Sequence, residues 1–198
     1  MDRVERNVKN FFDGNGMYLL GSNLLMGTLA SLVPTGSWSV FTLYMLITLF
    51  QLGLSWIWWK SDMTLIRFNS LTAFLLCITM GLFFVVPLLR LTIGVLSFWL
   101  ILAIYVCITF YALVRKELIF QAFHKPGKSK IAKGTVIILF LLIILGGFTY
   151  ANGQEMVIMA NLDDNQGAFF ISTFLYVLGL LITFVSTALL KKPQEIKN

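Results

Sequence analysis

The sequence is poor in charged residues, and this scarcity indicates the class of protein before any motif is considered. Asp, Glu, Lys and Arg make up 12% of the 198 residues, whereas soluble globular domains carry about 25%. Hydrophobic residues make up 58%, and the mean hydropathy is +0.85. Because so few charges do not cover the surface of a water-soluble fold, composition predicts an integral membrane protein. The length suits one domain.

The chain also has few of the side chains from which active sites are built. Its single histidine is His124, and its two cysteines, Cys77 and Cys107, lie in apolar runs without the spacing of a metal or redox motif. No Asp, Glu, Lys or His lies inside an apolar run, although ionisable residues at membrane depth are the usual mark of function. We find no glycine-rich nucleotide motif. The sequence therefore predicts a protein that is not an enzyme and holds no cofactor or metal.

Six apolar runs approach the length of about 20 helical residues that crosses a bilayer. They cover residues 17–33, 38–59, 70–89, 91–113, 134–151 and 168–190. The third and fourth runs are nearly continuous, so Pro87 and Arg90 predict a tight turn at a membrane surface. The expected fold class is an all-α, polytopic membrane bundle of about six transmembrane helices, which forms one domain over residues 1–198.

The basic residues are distributed unequally between the two ends of the predicted bundle. Fourteen of the 15 Lys and Arg residues fall in the N-terminal arm, the second loop, the fourth loop and the tail, and only Arg90 falls on the other face. Because Lys and Arg concentrate in cytoplasmic loops, both termini are predicted to be cytoplasmic. The expected location is the bacterial cytoplasmic membrane. The same distribution accounts for the net charge of +6, so we expect no nucleic-acid partner.

The N-terminal arm, residues 1–13, carries apolar residues at helical spacing. Val4, Val8, Phe11 and Phe12 alternate there with basic residues. This pattern is typical of a short amphipathic helix that lies on the membrane surface, and we predict such an interfacial helix on the cytoplasmic leaflet.

The fourth loop is predicted to run along the same surface. The fourth span is expected to continue as a helix past Arg115 until Pro126 stops it. The basic stretch that follows would attract anionic lipid head groups, although it also fits the ordinary positive-inside signal. The candidate membrane-surface residues are Lys125, Lys128, Lys130 and Lys133.

The polar residues within the apolar runs are neutral. Asn23 and Gln51 lie on the first two runs, which a short turn joins, and an amide in hydrocarbon needs a hydrogen-bond partner. We predict that these spans are neighbours with the two amides in contact, directly or through one water; alternatively, the amides line a solute path. Buried tyrosine and tryptophan side chains also need hydrogen-bond partners for their O–H and N–H groups. The ligand-binding candidates are Asn23, Tyr44, Gln51, Trp99, Tyr105 and Tyr176.

The acidic cluster before the sixth run, Asp163 and Asp164, allows two interpretations. Its oxygens could help to hold a calcium ion, but the spacing of a calcium-binding loop is missing. Capping of the helix that follows is the better prediction.

Two functional classes fit these features. The first is a non-catalytic transport component: a solute-binding or permease-type subunit energised by another chain. The second is a membrane accessory, immunity or regulatory protein that binds another membrane protein. A solute cavity open to one side would favour the first, and a filled bundle with an exposed apolar groove the second. The expected partners are the lipid bilayer and either another membrane protein subunit or a second copy of the chain.

Overall fold

The protein is all-helical. The computed structural model describes residues 6–61, 63–124, 126–148 and 162–191, apart from the side chains of Lys128, Gly147 and Phe148. Within these ranges there are no strands, which confirms the all-helical part of the predicted fold class. Val4 and Lys125 lie outside the described residues. The helices are α1 (Val8–Phe12), α2 (Asn15–Leu32), α3 (Trp38–Lys60), α4 (Leu65–Leu91), α5 (Leu96–Val114), α6 (Lys116–His124), α7 (Lys130–Phe148) and α8 (Asp164–Ser186), with short 3-10 helices at Pro126–Lys128 and Thr187–Leu190.

Four helical segments of the described ranges are long and apolar enough to cross a membrane. They are α3, α4, α5 and the continuous segment Asp164–Leu190, which joins α8 to its 3-10 turn. These segments support a transmembrane protein, as predicted. Helix α2 has 18 residues and contains two asparagines, three glycines and two serines, so it is less apolar. The count of six spans stays a prediction.

Helix α3 buries mostly polar residues and exposes apolar ones. The buried residues of α3 are Tyr44, Thr48, Gln51, Ser55 and Trp59. Leu46, Leu49 and Phe50 of the same helix are exposed. A water-soluble bundle has the opposite arrangement, whereas membrane helices join their small and polar residues and turn aliphatic side chains to lipid. Burial therefore agrees with composition.

The tightest helix contact lies between α4 and α8, where two glycines face each other. A Cβ atom added to Gly179 would lie 2.7 Å from the carbonyl oxygen of Gly81, and one added to Gly81 would lie 2.9 Å from that of Gly179. Thr183, one turn further along α8, also approaches Gly81. The two backbones are therefore in direct contact, which only residues without a side chain allow.

Pro87 lies inside α4, so the predicted turn at Pro87 and Arg90 is wrong. The helix continues to Leu91, and the chain turns just beyond it, where Gly94 has a φ of +85°. Proline has no N–H group, so the carbonyl of Phe83, four residues earlier, loses its helical partner. The hydroxyl of Tyr44 donates a hydrogen bond to that carbonyl at 3.4 Å. A neighbouring helix thus replaces the missing donor, as proline in membrane helices requires.

Arg90 caps the end of α2. Its guanidinium donates hydrogen bonds to the carbonyl oxygens of Val33 and Thr35 at 2.9 and 2.8 Å, and a longer one to that of Ser31 at 3.4 Å. The last carbonyl groups of a helix have no partner within it. The basic residue predicted on the outer face therefore satisfies the backbone of a neighbouring helix terminus.

Two arginines act in the same way at the opposite end of the bundle. Arg6 donates a hydrogen bond to the carbonyl oxygen of Trp59, near the end of α3, at 2.8 Å. Arg67 donates to the carbonyl oxygens of Leu190 and Lys191, after α8, at 2.9 and 3.2 Å. Long side chains from one helix thus supply donors to the terminus of another.

The N-terminal arm packs on the protein, which corrects the prediction that its apolar residues share one membrane-facing side. Phe11 is 2% exposed and packs edge-to-face on Trp56, with ring centroids 5.2 Å apart, and against Trp59 and Phe68. Val8 and Phe12 remain at the surface. The reason is that the aromatic residues at the ends of α3 and α4 form a pocket that one phenyl ring fills.

The fourth span does not run on past Arg115 as one helix. Helix α5 ends at Val114, and α6 is a separate amphipathic helix that buries Ile119 and Ala122. Helix α6 packs against the 3-10 turn that follows α8. Its apolar side therefore contacts protein, and α6 forms a helix separate from α5.

Asp163 caps α8, which confirms the capping prediction. Its carboxylate accepts a hydrogen bond from the backbone N–H of Gln166 at 2.7 Å, and the Gln166 side-chain oxygen accepts one from the Asp163 N–H at 3.4 Å. This reciprocal capping box satisfies two N–H groups that the helix leaves without partners.

The glycine contact leads to a stability prediction. Because a side chain at Gly179 would collide with α4, Gly179→Leu should lower the free energy of unfolding by about 1–3 kcal/mol or more. Gly53→Leu is the matched control, since a Cβ atom there has nothing within 4 Å. The measurement is unfolding of the purified protein by SDS titration in mixed micelles. Equal stability of the two variants would contradict the α4–α8 contact.

Candidate functional site

The predicted pair of amides is present in the interior. The side-chain nitrogen of Asn23 donates a hydrogen bond to the side-chain oxygen of Gln51 at 2.7 Å, and that of Gln51 donates to the carbonyl oxygen of Leu75 on α4 at 3.2 Å. Asn23 is 0% and Gln51 is 4% exposed. This confirms that α2 and α3 are neighbours with both amides facing inward. The pair ties three helices together.

One atom of this pair lacks a partner. The side-chain oxygen of Asn23 is buried and accepts no hydrogen bond, as is also true of the hydroxyl oxygen of Ser172 on α8. A buried acceptor without a donor costs about 1–3 kcal/mol. These are neutral groups, so their chemistry is hydrogen bonding and not acid–base catalysis. Asn23 is the polar group of the α2–α3 hairpin with unused hydrogen-bonding capacity.

Tyr44 is buried in a filled part of the core. Its ring packs on Phe83 with centroids 4.2 Å apart, and Gly27 of α2 fits against both side chains. Its hydroxyl donates the hydrogen bond to the Phe83 carbonyl oxygen described above. The role of Tyr44 in this structure is therefore packing and support of the backbone near Pro87.

Tyr105 and Tyr176 lie together at a second place, between α5 and α8. The hydroxyl of Tyr176 donates a hydrogen bond to the carbonyl oxygen of Ile101 at 2.9 Å. Tyr105 packs in the same cluster, next to Thr183. These tyrosines join α5 to α8, some distance along the bundle from the amide pair.

Trp99 does not face the interior, contrary to the prediction. It is 66% exposed, and its ring packs edge-to-face on the neighbouring Phe98. The physical reason is that α5 lies at the edge of the bundle, where Ala112 is its one buried residue. The six ligand-binding candidates thus do not converge on one site, and their role in binding stays a prediction.

A cavity of about 640 Å³ lies elsewhere, between α5, α7 and α8, and we call it the lateral groove. Its lining is apolar almost throughout. It is lined by Cys107, Ile108 and Tyr111 of α5, by Lys130, Ile131, Gly134, Thr135 and Ile138 of α7, and by Val177, Leu180, Leu181 and Phe184 of α8. The groove is open at the side of the bundle, on a surface that the helices present to lipid.

The groove exists because α7 leaves space on the side of Gly134, although Ala132 and Thr135 at the same end are buried. A Cβ atom on Gly146 would touch the ring of Phe174 on α8, at 3.7 Å, whereas one on Gly134 would have nothing within 4 Å. Small residues at Cys107 and Gly134 leave room on both walls. The space is therefore built into the backbone positions of the helices.

The end of the groove where α7 begins is basic. Lys130 lines it and is exposed. Lys133, one turn along, is exposed on α7 outside the lining. Of the candidate membrane-surface residues, Lys130 thus belongs to the groove and Lys133 does not, while the side chains of Lys125 and Lys128 lie outside the described residues.

Known proteins offer no comparison for either place. Comparison with known protein families, with curated proteins and with solved structures found no match to this chain. In the part of the chain that the structure describes, no three His, Cys, Asp or Glu side chains lie together as metal ligands would. Function is therefore argued from the amide pair and the lateral groove.

The amide pair leads to a second stability prediction. Asn23→Leu should lower the free energy of unfolding by about 0.6–1.7 kcal/mol, the range for hydrogen bonds between membrane helices. Gln51→Leu should cost more, because it also removes the bond to Leu75. The double variant should lower the free energy of unfolding by little more than Gln51→Leu alone, because both single changes remove the same Asn23–Gln51 hydrogen bond.

The control combines Gln51→Leu with Thr173→Leu. Thr173 bonds only within its own helix, to the carbonyl of Phe169, so these two costs should add. Additive costs for Asn23 and Gln51 in the same SDS titration would mean that the pair is not coupled.

Proposed function

We propose that this chain is a non-catalytic membrane protein that acts by binding a lipid-like ligand in the lateral groove. The observation that carries the proposal is a cavity of about 640 Å³ with an almost wholly apolar lining and a side opening. Ligand sites in proteins occupy about 300–1,000 Å³. Water forms few hydrogen bonds with such a lining, whereas the transfer of a hydrocarbon chain from water to an apolar surface is favourable.

The proposed topology has six spans with both ends in the cytoplasm. Helices α2 and α7 are proposed as two further spans beside the four long apolar segments. The 18 residues of α2 extend about 27 Å, close to the thickness of the 30 Å hydrocarbon core. The hydrogen bonds of Arg6 and Arg67 join chain segments at one end of the bundle, and those of Arg90 join segments at the other. The basic end is the cytoplasmic one by the positive-inside rule.

The dimensions of the groove favour an acyl chain over a transmembrane helix of a partner. Its α7 wall runs from Lys130 to Ile138, which is about 12 Å along a helix axis. A bilayer core is about 30 Å thick, so the groove serves less than one leaflet. A partner helix would need a contact along most of the bundle, whereas one lipid chain needs only this depth.

A filled interior with an exposed apolar groove fits the accessory or regulatory class better than the small-solute transport component. The transport class keeps one specific observation in its favour, the buried side-chain oxygen of Asn23 that accepts no hydrogen bond. If Asn23 contacted a polar solute, Asn23→Leu would abolish uptake of that solute. The same change would lower the free energy of unfolding by less than the roughly 0.6–1.7 kcal/mol expected for the bond to Gln51.

The topology is tested with reporters. Green fluorescent protein fused after Asn198, or inserted between residues 125 and 133, should fluoresce, because both positions are proposed to be cytoplasmic. The same insertion between residues 152 and 167 should be dark, and alkaline phosphatase, which needs the outer side, should give the reverse pattern. Fluorescence from the 152–167 insertion would overturn the six-span topology.

The binding function is tested by native mass spectrometry of the protein extracted in mild detergent. The wild type should retain a lipid-mass adduct, and Gly134→Leu should reduce the adduct severalfold because the leucine fills the groove. Gly53→Leu, the same change on the lipid-facing side of α3, should leave the adduct unchanged. An adduct equal in all three proteins would contradict the groove as the binding site.

A different outcome would indicate a protein partner. In that case the wild type would retain no lipid, and a membrane protein would co-purify that Gly134→Leu, but not Gly53→Leu, releases. That result would replace the lipid-like ligand by a partner helix.

A further inference from the structure

We propose that the lateral groove selects an anionic phospholipid from the cytoplasmic leaflet, with the head group at Lys130 and one acyl chain between α5, α7 and α8. This inference rests on the function proposed above, and it adds the chemical class of the ligand and the side from which it enters.

The lining changes from polar to apolar along its length. On α7 it begins with the ammonium-bearing Lys130, passes Gly134 and the mostly buried Thr135, and ends at Ile138. A lysine can lay its hydrocarbon stem along an apolar wall and keep its charge at the surface. An amphiphile has the same sequence of polar head and apolar chain, so the groove matches one in direction as well as in volume.

The end of the bundle that holds Lys130 is rich in basic residues, and this charge is complementary to an anionic head group. Arg115 at the end of α5, Lys116 at the start of α6 and Lys191 after α8 lie at the same end of the bundle as Lys130. Glu117 in the first turn of α6 is the nearby acidic residue in sequence. Each basic residue near a membrane surface favours anionic lipid by about fivefold. A zwitterionic head group would lack that attraction.

The entrance also fixes the leaflet. It lies at the end of the bundle where Lys60, Arg67 and Lys130 are found, opposite Arg90. By the positive-inside rule this is the cytoplasmic end. The apolar part of the groove extends about 12 Å inward from Lys130, which stays within the roughly 15 Å of one leaflet. The lipid therefore enters sideways from the cytoplasmic leaflet.

The test measures lipid selectivity by native mass spectrometry. Purified, delipidated protein is titrated with equimolar palmitoyl-oleoyl phosphatidylglycerol and phosphatidylcholine, which share their acyl chains. The wild type should bind the anionic lipid about fivefold or more in preference. Lys130→Gln should lower this ratio about fivefold relative to the wild type, while lipid of both kinds still binds because the apolar walls are intact.

Lys133→Gln is the matched control, since it removes the same charge from the same helix outside the groove lining. It should keep most of the wild-type ratio. Equal ratios for wild type and Lys130→Gln, or an equal loss in Lys130→Gln and Lys133→Gln, would overturn the inference. Thermal unfolding of each variant checks that the fold is retained.

Failure of the inference and failure of the proposed function give different results. If both lipids bind equally and Gly134→Leu abolishes both, only the head-group selectivity is wrong. If neither lipid binds in a manner sensitive to Gly134→Leu, the lipid-like ligand itself is wrong. If Gly134→Leu does not fold, Cys107→Leu takes its place in this comparison, because it fills the groove from the α5 side. A third arm of the experiment adds oleate. Displacement of phosphatidylglycerol by oleate would show that the ligand is a free fatty acid, which would also overturn the inference.

Discussion

Within the membrane-spanning helices, backbone carbonyl and N–H groups have to find partners within the protein, because hydrocarbon supplies none, and much of the structure depends on that constraint. Pro87 removes a donor from the middle of α4, and Tyr44 of α3 supplies another to the carbonyl of Phe83. Arg90 does the same for the carbonyl groups that follow α2. The helices are thus joined by side chains that satisfy each other's backbones, and the positions of α2, α3 and α4 follow from these bonds.

The same constraint governs the side chains of the interior. Asn23 and Gln51 bond to each other and to the backbone of α4, while Gly81 and Gly179 let α4 and α8 touch. Small and neutral polar residues therefore hold α2, α3, α4 and α8 together, and the large aliphatic residues are left for the lipid-facing surface. Helices α5 and α7 bury fewer of their residues and pack at the edge, which leaves the space of the lateral groove.

Sequence reasoning succeeded where one residue type has one physical solution in a membrane. Composition predicted the helical membrane class, two amides on adjacent runs predicted their contact, and Asp163 was predicted to be a cap. It failed where the partner is distant in sequence: Pro87 indicates a turn until Tyr44 is known to lie beside it, and Phe11 indicates a membrane-facing side until Trp56 and Trp59 are seen around it. The Gly179–Thr183 spacing was a readable signal of close packing, whereas the groove has none, because three separate helices form it.

Helix α8 connects the packed interior to the groove, since its two sides serve different purposes. Tyr176, Gly179 and Thr183 lie on its buried side, toward α4 and α5, and the residues next to them in sequence, Val177 and Leu180, line the groove. The backbone contact with Gly81 leaves α8 little freedom to shift, so the floor of the groove is fixed by the most tightly packed part of the bundle. Its walls belong to α5 and α7, which bury few residues of their own. A rigid floor with less constrained walls would suit the proposed acyl chain, since such chains differ in length and unsaturation, and the proposed head-group selection would then depend on the charge of Lys130 at the entrance.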